Sequence, residues 1–167
     1  MCKKIVLSAV AALQMAAANL NLCCSVLVNG REVTGFYSPT RADICEGTAY
    51  EAACELLPDT PELPLVQRHY SLRLRAPESD GAALTDAILR RIDGLGVYYA
   101  VFVNGDEMGL VEDDDRMKAM LRSNLYYQIP NSAIYASYHG EIDIRAVYAP
   151  DGMTTPYDDM VLLVRGR

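Results

Sequence analysis

Chemistry has few places to sit in this chain. It holds two histidines, His69 and His139, five cysteines, one acidic run and a group of tyrosines. A hydrolytic zinc centre needs ligand pairs at a fixed spacing, as in a His-Glu-x-x-His helix. Neither histidine has a second histidine at such a spacing or the adjoining glutamate of that motif, and both read as surface or edge residues. A cysteine nucleophile needs a histidine base held in place by a third group. Cys45 or Cys54 beside His69 or His139 satisfies the residue types, but no local signature accompanies them. Glu112-Asp113-Asp114-Asp115 offers oxygen ligands. A calcium loop, however, alternates its ligands around a central glycine and closes on a distal glutamate. The run does neither, and it fits the first turn of a helix, where carboxylates complement the dipole. Gly-rich phosphate loops and Ser-His-Asp signatures are absent, and no metal or cofactor is expected.

The tyrosines are the candidate binding surface. Tyr98, Tyr99, Tyr126, Tyr127, Tyr135 and Tyr138 gather in the second half. Exposed rings of this kind stack on sugars or form a protein interface. Buried, one of each adjacent pair would fill the core while the other covers the sheet. Cys23, Cys24, Cys45 and Cys54 allow three disulfide pairings. Cys45 with Cys54, as a loop-to-helix bridge, is the expected one. The alternative is that all four are small buried hydrophobes.

The elements that position these residues come in two copies. Val26-Leu27-Val28-Asn29-Gly30-Arg31-Glu32-Val33-Thr34-Gly35 returns as Val101-Phe102-Val103-Asn104-Gly105-Asp106-Glu107-Met108-Gly109. Gly30 to Gly105 and Glu32 to Glu107 are both separated by 75 residues, after which Thr34 has no counterpart. Asn-Gly between apolar runs predicts a two-residue type I′ hairpin, with Asn29, Gly30, Asn104 and Gly105 as the turns.

After the first hairpin, Ser38-Pro39 predicts a helix start, and Thr48-Ala49-Tyr50-Glu51 reads as a capping box opening a second helix from about 49 to 57. Pro58, Pro61 and Pro64 form a stiff connector. Residues 66–75 alternate as a half-buried strand, with Tyr70, Leu72 and Leu74 on one face. Ser79-Asp80 caps a helix to about residue 92. The second hairpin spans 97–111, and the acidic run opens a helix with Met117, Met120 and Leu121 inward. Residues 134–138, 141–148 and 160–164 read as strands. The expected fold class is α+β: two related hairpin-plus-helix units, 19–75 and 76–167, with a mixed, largely antiparallel sheet.

The chain has 167 residues, 51% of them hydrophobic, and a net charge of −7. That supports one ordinary domain or two small ones, and the acidic balance argues against nucleic-acid binding. Lys3 and Lys4, the apolar run 5–18 and the small residues Ala16-Ala17-Ala18 read as an export signal over residues 1–18. The alternatives are an uncleaved anchor and a buried core helix; the run is short for a span and carries Gln14. Cleavage would leave 13 Lys and Arg against 22 Asp and Glu, a net charge of −9. Lipidation of Cys23 is not expected, because Leu22 rather than a small residue precedes it.

The Val101-x-Val103-Asn104-Gly105-x-x-x-Gly109 pattern, its first copy at Val26, Val28, Asn29, Gly30 and Gly35, the acidic Asp113 and the stretch from Tyr157 to Gly166 resemble a family. They are similar to the N-terminal extracytoplasmic region of clostridial, Gram-positive cell-wall proteins, where it precedes LysM modules and a lysostaphin-type zinc metallopeptidase. The resemblance spans most of residues 20–167. The peptidase's His-x-His has no match, and Arg73 stands where His69 would need an aspartate to open a His-x-x-x-Asp. The resemblance therefore implies company and place rather than catalysis: a secreted, peptidoglycan-associated cell-wall module. The expected partner is peptidoglycan or an envelope protein, and the membrane is met only through the N-terminal signal segment. An extracellular protein–protein module or scaffold is the alternative.

Overall fold

Asn29 and Gly30 turn the chain with φ of 49° and 75°, the left-handed pair that a type I′ turn demands. They join β1 (Asn21–Val28) to β2 (Arg31–Tyr37). The computed structural model describes residues 20–75, 79–128, 137, 138 and 140–166, with backbone alone for 126–128. The expected export signal, Tyr135, His139 and most of the expected strand 134–138 lie outside the described residues.

Ser38 caps α1 (Pro39–Leu56), accepting a hydrogen bond from the Arg41 backbone N–H at 3.2 Å, with Pro39 in the first turn. The helix then runs unbroken through Gly47 and Thr48, so the expected second start at Thr48 is corrected. A capping box works only when its first residue leaves helical geometry. One glycine costs a helix only about 1 kcal/mol against alanine, and the buried row Ala42, Cys45, Ala49 and Ala53 outweighs that. The Leu57 N–H still reaches the Ala53 carbonyl, and Pro58 follows.

Next come β3 (Val66–Arg73) and α2 (Gly81–Leu89), the latter capped by the Asp80 carboxylate on the Ala82 N–H at 2.9 Å. The strand order is β2-β1-β3, with β1 antiparallel to both neighbours. The two edge strands are therefore parallel to each other, and α1 is the connection between them. The first compact unit is Met1–Asp93. The expected boundary at 75/76 thus shifts: α2 closes the first unit instead of opening the second.

The second unit, Gly94–Arg167, repeats the order. β4 (Leu95–Val103) turns at Asn104 (φ 54°) and Gly105 (φ 91°) into β5 (Asp106–Val111). Then come α3 (Asp114–Gln128), β6 (Ile142–Pro150) and α4 (Tyr157–Arg165). The sheet order is β5-β4-β6, again antiparallel throughout. The fold is α+β, and the repeated object is a complete ββαβα unit, larger than the hairpin that announced it. Among the described residues every strand pairing is antiparallel, so no parallel pair accounts for the expected mixed character.

Residues 160–164, expected as a strand, are helical in α4. A five-residue apolar run fits either element. The flanks decide it: Pro156 precedes the first turn, Asp158 and Asp159 sit at its positive end, and Arg165 sits in the last turn. Met160, Val161 and Val164 then share a buried face. With Val101, Val103, Val111, Met117 and Leu121 they form the core of this unit.

The residue that has no counterpart, Thr34, lies in a β-bulge. Val101 pairs with Gly109 and Phe102 with Glu107, so Met108 is the extra residue. In the first unit Cys24 pairs with Tyr37 and Val26 with Val33, and the irregular stretch is one residue longer. Edge strands absorb such insertions without disturbing the central strand.

Candidate functional site

The repeated motif is a device for holding the unit together. The Asn29 backbone N–H donates to the Leu65 carbonyl, and the Asn29 side-chain Oδ1 accepts from the Leu65 N–H, both at 2.8 Å. Asn104 does the same to Glu141, at 2.9 and 3.0 Å. Each turn asparagine therefore clasps the residue that leads into the third strand. The second glycine of each motif marks a close approach. A Cβ on Gly35 (φ 115°) would meet Ser79, and one on Gly109 (φ 145°) would stand 2.6 Å from Thr155 Oγ1. Ser79 and Thr155 lie just before the short helices. Ser79 Oγ accepts from the Phe36 N–H at 2.6 Å, and the Thr155 N–H donates to the Leu110 carbonyl at 2.7 Å.

Among the described side chains, Tyr98, Tyr99 and Tyr138 do not form one surface. Tyr98 and Tyr99 leave β4 on opposite faces. Tyr98 lies over Gly96, and its hydroxyl donates to Asp151 Oδ1 at 2.8 Å. That carboxylate bond holds the phenol above its ordinary pKa. Tyr99 and Tyr138 pack on the core of the second unit. The Tyr138 hydroxyl donates to the Leu121 carbonyl at 2.8 Å, and burial raises its pKa. Tyr126 and Tyr127 end α3, and Tyr135 is outside the described residues.

The expected Cys45–Cys54 bridge is not formed; both cysteines are free. They lie nine positions apart on one helix, which separates their backbones by about 13 Å. A disulfide spans about 4.4–6.8 Å between Cα atoms. Cys45 instead faces α2, where its thiol donates to the Gly81 carbonyl at 3.3 Å, while Cys54 is exposed. Cys23 and Cys24 are buried in β1, and desolvation holds the Cys24 thiol above its usual pKa.

The acidic run works as a helix start. Asp113 accepts from the Arg116 N–H at 2.9 Å, and Asp114 pairs with Lys118 one turn on. His69 sits exposed on β3 opposite Ser25. Among the described residues no three His, Cys, Asp or Glu side chains converge as a metal would need.

Two surfaces escaped the sequence. The first is a groove of about 340 Å³ between α3 and α4, lined by Met120, Ser123, Asn124, Asp158, Val161 and Leu162. It was hidden because α4 read as a strand. In the first unit the corresponding helices meet closely through Ala42, Cys45 and Ala49, with the Thr85 hydroxyl donating to the Cys45 carbonyl at 3.5 Å. The second is an apolar strip on the sheet of the first unit. Cys24, Val26 and Val28 of β1 are buried, and on that same face the next pair, Leu22 and Leu72, is bare. Tyr70 is 58% exposed and Leu72 65%. Alternation predicts Tyr70, Leu72 and Leu74 on one face of a half-buried strand; all three are exposed, and no residue of β3 is fully buried.

Comparison with known proteins finds no matching family model, no matching curated protein and no matching solved structure.

Proposed function

We propose that this chain is a non-catalytic module exported to the cell envelope, an accessory or targeting region of the kind that accompanies peptidoglycan hydrolases. The observation that carries the reading is the duplication of a whole ββαβα unit within one chain. Two copies of one small unit suit a ligand that is itself repetitive, because the second binding event follows the first at high effective concentration. Peptidoglycan is such a ligand. The basic start, apolar run and Ala16-Ala17-Ala18 of the N-terminal segment support export, and the motif resemblance supports the envelope.

Co-sedimentation of the exported chain with purified sacculi tests it. Saturable binding is expected, and a chain that stays in the supernatant overturns wall targeting. The groove lined by Met120, Val161 and Leu162 favours a second reading, a module that grips an extracellular protein by an apolar side chain. A soluble partner that competes for the groove while sacculi do not would select it.

A further inference from the structure

We infer that the open edge of β3 takes an extended peptide as an added strand, one whose side chains alternate between apolar and acidic. This goes beyond wall targeting and does not depend on it. The hairpin edges, β2 and β5, each carry a register shift, and a bulge spoils an edge for further pairing. β3 keeps one register with β1 from Asn21–Arg73 to Val28–Val66. Its other side is therefore a regular edge. Bonded and non-bonded pairs alternate along an antiparallel ladder. Leu65 bonds to Asn29 through both its N–H and its carbonyl. By the same alternation Gln67, His69, Ser71 and Arg73 turn their backbone groups toward β1. Arg68, Tyr70 and Leu72 turn theirs to the edge, and among the described residues no strand pairs there. Such a row of N–H and C=O groups is a template for an added strand.

Side chains choose the occupant. An added strand sends alternate side chains to the two faces of the sheet. On one face it meets Tyr70 and Leu72, 58% and 65% exposed. On the other it meets His69, Ser71 and the basic end of β3. The chain is −7 overall, yet the three strands of this sheet carry one carboxylate, Glu32, on the far edge strand. Arg68 is held by Asp43 and Glu46, and Arg73 lies over the Phe36 ring of β2. Arg75, exposed just past the strand, is the nearest cation left without a carboxylate. Apolar pairs and opposite charges on neighbouring strands both stabilise a sheet. Apolar groups on one face and cations on the other suit a strand that alternates in the same way.

β6 supplies the comparison. Its edge is regular too, but Asp143 already pairs with Arg145 at 2.6 Å, and Ile142 and Ile144 pack on the core. A second β3 is a poorer occupant, because it brings arginines and no carboxylate to a basic edge.

Amide hydrogen exchange of the full chain, with a soluble peptide of alternating valine and glutamate, reads the edge directly. With the peptide at about ten times its Kd, exchange at Arg68, Tyr70 and Leu72 should slow about tenfold. Gln67, His69 and Ser71, already bonded to β1, should change little. A peptide of alternating valine and lysine should bind about fivefold more weakly, and Arg75→Glu, or Arg75→Ser if that variant does not fold, should narrow the gap. Methylating the peptide's backbone nitrogens at the valines alone, or at the glutamates alone, should abolish binding in one case only, because a strand offers β3 just one alternate set of N–H groups. Equal effects of the two methylations, equal binding of the two peptides, or no slowing at the three edge amides overturns the proposal. So does slowing that needs no peptide and rises with protein concentration, which would place a second copy on the edge.

Discussion

Asn29 and Leu65 exchange two hydrogen bonds of 2.8 Å, one through the Asn29 backbone N–H and one through its side-chain oxygen. The asparagine therefore does two jobs. It accepts a positive φ, and it fixes where β3 begins. Asn29→Gly keeps the turn geometry and loses the clasp. Urea denaturation should show a loss of roughly 1–2 kcal/mol, part of it from added freedom in the unfolded chain. Asn29→Asp keeps the acceptor oxygen and should lose less. Equal losses would mean that the side-chain bond contributes nothing.

Gly105 and Gly109 both have positive φ, but only Gly109 is also crowded. Gly105→Ala meets open space and should cost about 1 kcal/mol from backbone strain alone. Gly109→Ala adds a collision with Thr155 Oγ1 and with Met160 Cε at 3.0 Å, and should lower the melting temperature clearly more. Adding Thr155→Ala should recover part of that difference.

Arg68 in β3 and Ile144 in β6 occupy matching positions, opposite Val26 and Val101. Arg68 turns the same inward face, but it reaches Asp43 at 2.6 Å and Glu46 on α1, with only 17% of its side chain exposed. Arg68→Ala leaves those carboxylates without a partner and is expected to destabilise the first unit by about 2–3 kcal/mol. Ile144→Ala should destabilise the second unit instead. Hydrogen exchange resolved along the chain would separate the two effects.

Burial raises the tyrosine pKa at Tyr37 in the first unit and at Tyr138 in the second. In the folded chain each keeps its proton to higher pH than it does unfolded. The unfolded state therefore binds fewer protons above about pH 10, and stability falls as pH rises past that point. Tyr37→Phe and Tyr138→Phe should each flatten the alkaline decline, measured by thermal melts from pH 8 to 11. An unchanged slope in both would remove burial as its source.

Cys54 is exposed, whereas Cys23, Cys24 and Cys45 are buried. Alkylation of the native chain should therefore modify Cys54 quickly and the other three only after unfolding, as located by peptide mass spectrometry. Equal rates at Cys45 and Cys54 would contradict the one-helix arrangement.

The hairpins and the first helix cap were legible because Asn-Gly and Ser-Pro act through local backbone sterics. The joins were less so. Thr48-Ala49-Tyr50-Glu51 carries a cap signature that the buried row from Ala42 to Ala53 overrides, since packing of a whole face exceeds one local preference. The apolar residues 160–164 satisfy strand and helix alike until their flanks are weighed. The helix Gly81–Leu89 sits between two copies of a hairpin motif, and nothing local assigns it to either. Alternation in β3 identified a face, but how far α1 extends over that face depends on tertiary packing. The groove between α3 and α4 depends on the spacing of two distant segments, so no short motif could announce it.

The middle strand of each sheet is the first to be synthesised. A chain threading out of a pore from its N-terminus releases β1, turns at Asn29-Gly30 and finds β2 at once. The opposite flank of β1 waits for Val66–Arg73, which emerges only after all of α1. The same interval recurs between β4 and β6. During each wait an apolar strand presents an unpaired edge, the condition under which chains stick to one another. For this molecule the vulnerable moment is set by traffic: slow passage of one helix lengthens it, and whatever shelters nascent chains has to act there twice.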